Sequence, residues 1–373
     1  MRFRLAALFI GALIQIGNSA MAQEEITQSV ASLPPVTILG TQLQHITSTI
    51  TGEEYDLYIN LPRNYQDQSR TFPVLYLLDG QWDFPLVMSV FGEQYYDGFV
   101  PEIVIVGITW RGSNLNYDSL RVRDFTPTTV PQLPHSGNAL KFLEFIKKEL
   151  IPFIEANYRV VPNDRTLVGS SLGGLFTLYA LFYENELFNR YILTSPSLQW
   201  DNGVLYNFEK SFAVKKSPFP IKLYMAIGEY EGTADFQKFV NHLKERNNSA
   251  LTLTTRVLDG IGHSGTKAEG YARGLQTVFA RPSIRVNPSL LAPYVGSYQI
   301  NPQLTIKVFV EDDQLVALTP DSTKIILFAE TATDFYIKGA YLFVHFKKDE
   351  TGSVNGFQLQ QFNGEMFCKK LIP

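Results

Sequence analysis

A serine set between two glycines constrains the fold of this chain more than any other stretch. The segment Gly169–Gly173 has the form G-x-S-x-G. An apolar run over 165–168 precedes it, and a run typical of a helix over 175–183 follows. A strand, a tight turn and a helix in this order place the central serine at the apex of a sharp turn, with its hydroxyl above the edge of a sheet.

Two serines compete for the apex of this turn. Ser171 has a glycine two residues before it and another two residues after it, whereas Ser170 would have Val168 and Leu172 at those positions. Small residues are required there because the turn is strained and crowded. Ser171 is therefore the predicted nucleophile, and the backbone N–H of Leu172 is a predicted donor to a developing oxyanion.

The chain around this turn alternates between apolar runs and helical periodicity. This alternation predicts a mostly parallel sheet with helices on both faces, preceded by an antiparallel hairpin. The hairpin is predicted over 42–61. Further strands are predicted over 72–78, 103–110, 165–168, 191–194, 221–227 and 251–258, and helices over 82–92, 139–158, 175–183, 235–246 and 267–279. The polar segment 111–137 is predicted to be irregular and to cap a pocket.

The pattern of apolar and polar residues changes after Ala280. Eight short alternating runs, separated by turn-forming residues, follow Leu291 without a recognisable helix. This pattern predicts a small all-β domain, a barrel or a sandwich, over 289–373. The larger α/β domain is then predicted over 23–282.

One histidine stands out from the five in the sequence. His263 lies in a glycine-rich loop directly after the predicted strand 251–258. In an α/β-hydrolase the catalytic groups follow the order serine, acid, histidine along the chain, with the histidine after the last of these strands. His263 is therefore the predicted general base.

Three carboxylates compete for the place of the acid. Glu229, Glu231 and Asp235 all follow the predicted strand 221–227, and each is within reach of its end. The acid must accept a hydrogen bond from the second imidazole nitrogen of His263 and fix its tautomer. Glu231 is preferred because it lies a few residues past the strand and beside Gly232, with Glu229 and Asp235 as alternatives.

A second oxyanion donor is expected from the loop after an earlier strand. The run over 76–81 fits that place, because Gly80 permits a close turn and the Gln81 N–H follows it. Asp79 is interpreted as a structural residue of an Asx-type turn.

Composition excludes several other classes of protein. The net charge is −4 without a basic patch, which argues against nucleic acid as a partner. Cys368 is the only cysteine and is interpreted as a packing residue. No motif with metal-ligand spacing is found, so no metal or cofactor is expected.

The first 22 residues are typical of an export signal. A basic start at Met1–Arg4 is followed by an apolar stretch over 5–16, which is too short to cross a bilayer, and by an A-x-A site ending at Ala22. We expect residues 1–22 to be removed, the mature chain to have no membrane span, and the protein to be periplasmic or secreted.

Together these residues resemble the bacterial esterase group of α/β-hydrolases, which contains esterase D (S-formylglutathione hydrolase), enterochelin esterase, feruloyl esterase and the mycolyltransferase antigens. The resemblance covers about residues 40–280 and is strongest toward the enterochelin-esterase-like branch. The pieces that carry it are Val74–Gly80, Arg123–Pro127, Gly169–Gly174, Ser195–Trp200, Ile227–Glu231 and Gly262–His263.

This resemblance implies an ester hydrolase in which Ser171 is the nucleophile and His263 the base, with Trp200 as a wall of the substrate pocket. The family often has aspartate where this chain offers glutamates, and some siderophore esterases work with a Ser–His pair and little help from an acid. The segment from Tyr294 to Tyr298 is similar to the Y-x-G-x-Y opening of a small β-domain appended to β-lactamase-like and esterase proteins.

The sequence therefore predicts a serine esterase that acts on a small-molecule ester. An acyltransferase that uses the same residues is one alternative. A binding protein that has lost catalysis, with the β-domain as its working part, is another.

Overall fold

A computed structural model describes residues 36–212 and 217–371. The predicted signal peptide, residues 1–22, lies outside the described residues. Of the first 40 residues only 36–40 are described, and these contain no helix or strand. The remainder, from Thr41 onward, forms a unit of its own.

An eight-stranded sheet forms the centre of the larger domain. Its spatial order is β1-β2-β4-β3-β5-β6-β7-β8, and its strands are β1 (Thr41–Thr47), β2 (Glu54–Asn60), β3 (Phe72–Leu77), β4 (Val104–Trp110), β5 (Val160–Ser170), β6 (Arg190–Thr194), β7 (Ile221–Gly228) and β8 (Leu251–Leu258). Strands β1, β2 and β4 pair antiparallel, which confirms the hairpin. Every other neighbouring pair is parallel, so the predicted mostly parallel sheet is confirmed.

Helices cover both faces of this sheet, because its central strands are apolar on both sides. Two helices, α1 and α8, pack on one face, and most of the others pack on the opposite face. The helices are α1 (Gly80–Tyr96), α2 (Tyr117–Phe125), α3 (Ala139–Phe145), α4 (Ile151–Asn157), α5 (Leu172–Tyr183), α6 (Leu205–Phe212), α7 (Thr233–Glu245) and α8 (Thr266–Val278). A π-helical turn over Ile146–Leu150 joins α3 to α4, and Pro152 lies in the first turn of α4, where its missing N–H is tolerated.

The segment 111–137 is not wholly irregular, and the prediction was wrong for its first half. Helix α2 begins after Asn116, whose side chain accepts a hydrogen bond from the Ser119 N–H at 3.0 Å. It ends at the fully buried Phe125. The helix is short and mostly polar, so its periodicity was hidden among the turn-forming residues around it.

Eight antiparallel strands close into a barrel at the C-terminal end of the chain. The strands are β9 (Gly296–Asn301), β10 (Leu304–Glu311), β11 (Gln314–Leu318), β12 (Lys324–Ala329), β13 (Asp334–Tyr336), β14 (Leu342–Lys348), β15 (Val354–Gln361) and β16 (Gly364–Leu371). The all-β prediction is confirmed, except that two short helical turns, Pro288–Leu291 and Ala292–Tyr294, precede β9. Cys368 is buried in the barrel core, and burial raises the pKa of its thiol to about 11.

The barrel contacts the larger domain at the end of α1. Tyr95 packs against Tyr341 and Phe362, with ring centroids 5.3 and 5.8 Å apart. The Arg63 guanidinium lies 4.5 Å from the centre of the Phe362 ring. Helix α1 starts at the carboxyl edge of the sheet, directly after β3, and its 17 residues span about 25 Å. The barrel therefore lies toward the amino edge of the sheet.

Within the part of the chain that the structure describes, no helix is both long enough and apolar enough to cross a bilayer.

Candidate active site

The turn between β5 and α5 holds Ser171 in a strained conformation. Its backbone has φ 59° and ψ −116°, a region that non-glycine residues rarely adopt. A Cβ atom at Gly169 would lie 2.4 Å from the Gly173 carbonyl oxygen, so only glycine fits there. This is the local geometry that the G-x-S-x-G motif predicts.

The two candidate serines differ in their exposure. Ser170 is the last residue of β5 and is 1% exposed, and its hydroxyl has no hydrogen-bond partner among the described residues. Ser171 is partly exposed at the start of α5. A buried hydroxyl is out of reach of a substrate, so the geometry favours Ser171.

Two backbone N–H groups lie where oxyanion donors are expected. Leu172 is the first residue of α5, and Gln81 is the second residue of α1. N–H groups in the first turn of a helix have no partner within that helix, and the helix dipole favours negative charge beside them. The Gln81 side-chain amide is also buried without a hydrogen-bond partner among the described residues.

His263 and Glu231 form a direct pair at the carboxyl edge of the sheet. His263 Nδ1 lies 2.5 Å from Glu231 Oε2, in a short turn after β8. The Glu231 side chain is 12% exposed, whereas that of His263 is 54% exposed. The imidazole is therefore anchored at one nitrogen and accessible at the other.

Further hydrogen bonds hold the Glu231 carboxylate in place. Its Oε1 atom accepts from the Ser195 hydroxyl at 2.7 Å and from the Gly228 N–H at 2.8 Å. The Ser195 hydroxyl also lies 2.7 Å from the Thr266 hydroxyl, which donates to the His263 carbonyl oxygen at 2.7 Å. Both ends of the His263–Glu231 pair are thus linked to one network.

The two alternative carboxylates lie elsewhere. Glu229 Oε2 accepts a hydrogen bond from the Gly260 N–H at 2.8 Å, and Asp235 Oδ2 accepts from Gln199 Nε2 at 3.2 Å. Among the described residues, neither carboxylate contacts His263. The structure therefore brings Glu231, the preferred residue, to the histidine.

The Ser171 hydroxyl is not hydrogen-bonded to the His263 ring among the residues that the structure describes. Catalytic hydrogen bonds of free enzymes are often long and tighten when substrate binds. A cavity of about 160 Å³ lies beside the imidazole and is lined by His263, Glu231, Ser197 and Gln199, among others. The Ser197 N–H donates to the Ser171 carbonyl at 3.2 Å, so the cavity adjoins the Ser171 turn.

Asp79 does not form the Asx-type turn that the sequence suggested. Its carboxylate is fully buried and accepts two hydrogen bonds from Arg121, at 2.8 and 3.0 Å, and caps no backbone N–H of its own helix. Burial raises the pKa of Asp79 to about 6, against the opposing effect of the Arg121 guanidinium. Burial explains this difference, because a buried carboxylate is stabilised by a charged partner more than by a local backbone contact.

Arg121 is a residue of the site region that the sequence did not reveal. Besides Asp79, it donates to the Ser170 carbonyl oxygen at 3.3 Å and lies over the Trp82 ring, 5.4 Å from its centre. Trp82 is 45% exposed and packs edge-on against Tyr117. Arg121 was missed because it belongs to helix α2, which the sequence pattern did not predict.

Trp200 lies one residue after Gln199, in a short 3₁₀ turn. Its indole N–H donates to Thr128 Oγ1 at 3.2 Å, which ties it to the second half of the 111–137 segment. Its place as a pocket wall stays a prediction. Arg123 donates two hydrogen bonds to the buried Asp124, at 2.8 and 2.9 Å. Over the described residues, no group of three His, Cys, Asp or Glu side chains is placed to hold a metal ion.

The fold and the serine turn define an α/β-hydrolase. The model of the family described as "Putative esterase" matches residues 48–279, and the chain belongs to this family. A domain of unknown function, DUF3471, matches residues 280–371. The chain is a carboxylic ester hydrolase.

Similar proteins include ferri-bacillibactin esterase BesA of Bacillus subtilis (strain 168). It is 31% identical over 248 residues, which cover 62% of this chain and 82% of that protein. A triacetylfusarinine C esterase of Aspergillus fumigatus is 30% identical over 171 residues, 44% of this chain and 59% of that protein.

Solved structures also resemble the larger domain. The BES protein from Bacillus cereus aligns with a TM-score of 0.61 and 27% identity, over 66% of this chain and 97% of its own. An IroE-like serine hydrolase from Shewanella oneidensis aligns with a TM-score of 0.57 and 28% identity, over 68% of this chain and 84% of its own.

Proposed function

We propose that this esterase hydrolyses its substrate through Ser171, His263 and Glu231. The observation that carries the proposal is the 2.5 Å contact between His263 Nδ1 and Glu231 Oε2, at the sheet edge where the strained Ser171 turn also lies. A carboxylate on Nδ1 fixes the tautomer that leaves Nε2 as a proton acceptor. The comparisons support ester hydrolysis, and the contact supports these residues.

In the first half of the reaction, Ser171 Oγ attacks the ester carbonyl carbon while His263 Nε2 takes the hydroxyl proton. The carbonyl oxygen becomes an oxyanion, which the N–H groups of Leu172 and Gln81 stabilise. The ester C–O bond then breaks, and the departing alcohol takes its proton from the imidazolium. Ser171 remains acylated.

In the second half, water replaces the alcohol. His263 accepts a proton from water, which attacks the acyl carbon and forms a second oxyanion at the same N–H groups. The bond to Ser171 Oγ breaks, the serine regains its proton from His263, and the carboxylic acid departs. Glu231 stays ionised throughout and stabilises the imidazolium.

Ser171→Ala tests the nucleophile, with Ser170→Ala as the matched control one residue away. We expect Ser171→Ala to abolish hydrolysis of short p-nitrophenyl esters and labelling by a fluorophosphonate, whereas Ser170→Ala retains both. Intact mass after labelling shows a single adduct in the native protein. Retention of labelling in Ser171→Ala would contradict the assignment.

The natural substrate is proposed to be an ester-linked siderophore. This proposal rests on the names of the relatives, which include a ferri-bacillibactin esterase and an apo-salmochelin esterase. The exposed Trp82 in the first turn of α1 offers a flat apolar surface near the predicted oxyanion donor, suited to planar aryl groups.

A panel of esters tests this substrate class. Ester-linked siderophores, each with and without iron, are compared with aryl and sugar esters by kcat/KM. A preference for sugar or aryl esters would contradict the siderophore proposal. The same assays, repeated with candidate hydroxyl acceptors, distinguish hydrolysis from acyl transfer, because an acyltransferase forms a new ester rather than the free acid.

We also propose that the protein is exported. The basic start, the apolar stretch and the A-x-A site within residues 1–22 support this. N-terminal mass analysis of protein recovered from cell fractions tests it. We expect a mature chain that begins at Gln23, whereas an intact Met1 in the cytosol would contradict export.

A further inference from the structure

A buried carboxylate outside the proposed triad connects the two parts of the site. Asp83 lies in the first turn of α1 and is 2% exposed. Its Oδ1 atom accepts from Lys267 Nζ at 2.7 Å, and its Oδ2 atom accepts from the Tyr271 hydroxyl at 2.7 Å. Lys267 and Tyr271 are four residues apart on α8 and so share one face of that helix.

The two helices joined by Asp83 each begin at a proposed catalytic group. Gln81, the proposed oxyanion donor, lies two residues before Asp83 on α1. His263, the proposed base, lies four residues before Lys267, in the short turn that leads into α8. The Thr266 hydroxyl, next to Lys267, donates to the His263 carbonyl oxygen at 2.7 Å. A shift of α8 along α1 would therefore move the base relative to the oxyanion donor.

The contact of Asp83 with Lys267 and Tyr271 favours one relative position of α1 and α8. Apolar packing between α1 and α8 would hold the helices together at several relative positions, because the hydrophobic effect is non-directional. A carboxylate with a separate partner on each oxygen has one favourable geometry. A buried charge is also unfavourable unless it is paired, so partial separation of the helices at this end is disfavoured.

We propose that Asp83 is a positioning residue, which holds the His263 turn in register with the Gln81 N–H through Lys267 and Tyr271. It does not touch the substrate. This inference rests on the proposed catalytic roles of His263 and Gln81. It goes beyond them by assigning the relative position of base and oxyanion donor to a single buried contact.

The test uses Lys267→Met and Tyr271→Phe in the full chain. Each variant removes one partner of Asp83. A small displacement of a catalytic group affects the transition state more than the bound substrate. We expect kcat for a p-nitrophenyl ester to fall roughly tenfold in each variant, with KM within about twofold. The affinity for a boronic acid that mimics the tetrahedral intermediate should weaken by a similar factor.

Lys222→Met is the matched control. The Lys222 ammonium group also holds α8, but at its other end, where it donates to the Val278 and Ala280 carbonyl oxygens at 3.1 and 3.4 Å. We expect this variant to lower the melting temperature without a change in kcat. Lys267→Arg keeps the positive charge and should restore most of the activity lost in Lys267→Met.

The outcomes separate this inference from the proposed function. If Lys267→Met and Tyr271→Phe melt at lower temperature but retain native kcat and boronic acid affinity, the contact is merely structural and the inference is wrong. If Lys267→Met does not fold, Tyr271→Phe carries the test, because it removes only one hydroxyl. Ser171→Ala, assayed in parallel, reports on the proposed function: residual hydrolysis there refutes the triad itself.

Discussion

Ser195 donates its hydroxyl to Glu231 Oε1 at 2.7 Å from a left-handed backbone conformation, with φ 46°. Non-glycine residues adopt this conformation at a cost in free energy, which the surrounding structure must offset. Strained residues cluster at functional sites, and this one lies directly at the end of β6. The strain and the hydrogen bond together indicate that the orientation of the Glu231 carboxylate is set by its neighbours.

Removal of this hydroxyl should weaken catalysis without abolishing it. We expect Ser195→Ala to lower kcat about fivefold, since a single net hydrogen bond contributes on the order of 1 kcal/mol. Ser170→Ala is the control, because the buried Ser170 hydroxyl has no hydrogen-bond partner among the described residues. Steady-state kinetics check the result, and equal losses in the two variants would argue against a specific role for Ser195.

Neutralising each of the three candidate carboxylates in turn should have very different effects on kcat. Glu231→Gln should lower kcat about a hundredfold or more. An amide has only one acceptor oxygen, so its NH₂ group would face a hydrogen-bond donor that the Glu231 carboxylate now accepts from. Glu229→Gln and Asp235→Asn should retain native rates, since neither carboxylate contacts the imidazole. A larger loss in either of these two would move the acid to that residue.

The stability of the fold should respond to the titration of Asp79. The pKa of Asp79 in the folded protein is about 6, above its ordinary value of 3.8. Its contribution to stability is therefore fully present below about pH 3.8 and is lost as the pH rises through about 6. The change amounts to about 3 kcal/mol, on the order of 1.4 kcal/mol for each pH unit of the shift.

Asp79→Asn removes this titration and provides the comparison. We expect the melting temperature of the native protein, relative to that of Asp79→Asn, to fall as the pH is raised from 4 to 7. Calorimetry or fluorescence melting over this range measures the difference. A relative melting temperature that rises with pH would show that the Arg121 pair dominates over burial.

The contact between the barrel and α1 should affect stability more than catalysis. Phe362 packs against Tyr95 and Tyr96, with ring centroids 5.8 and 5.0 Å apart, and lies under the Arg63 guanidinium. Phe362→Ala should lower stability by roughly 1–2 kcal/mol, from lost aromatic and cation–π contacts. We expect kcat to change less than about twofold, because this interface lies toward the amino edge of the sheet.

Phe367→Ala on the barrel surface is the control for this prediction. Phe367 is 49% exposed and makes no aromatic contact with the larger domain among the described residues. Thermal melting and limited proteolysis across 280–288 check the effect. A large loss of activity in Phe362→Ala alone would instead link the barrel to catalysis.

Local patterns in the sequence predicted most of the secondary structure. Strands and helices repeat their apolar side chains every two to four residues, so a short stretch of sequence is enough to indicate them. The sheet, most of its helices and the barrel strands could therefore be located from the sequence alone. The exceptions are α2 and α6, where no helix was predicted. Helix α2 is short and polar, and little of its length is apolar. Because α2 was not predicted, the role of Arg121 was missed as well.

The sequence by itself determined the strained turn at Ser171, because the flanking glycines are a local steric requirement of that turn. It also placed the candidate histidine and acids at the ends of the correct strands, because the order of parallel strands follows from chain connectivity. Only the tertiary structure decided which carboxylate meets His263, that Asp79 pairs with Arg121, and that Asp83 joins α1 to α8. These contacts join side chains from segments that are far apart in the sequence, so no local spacing pattern predicts them.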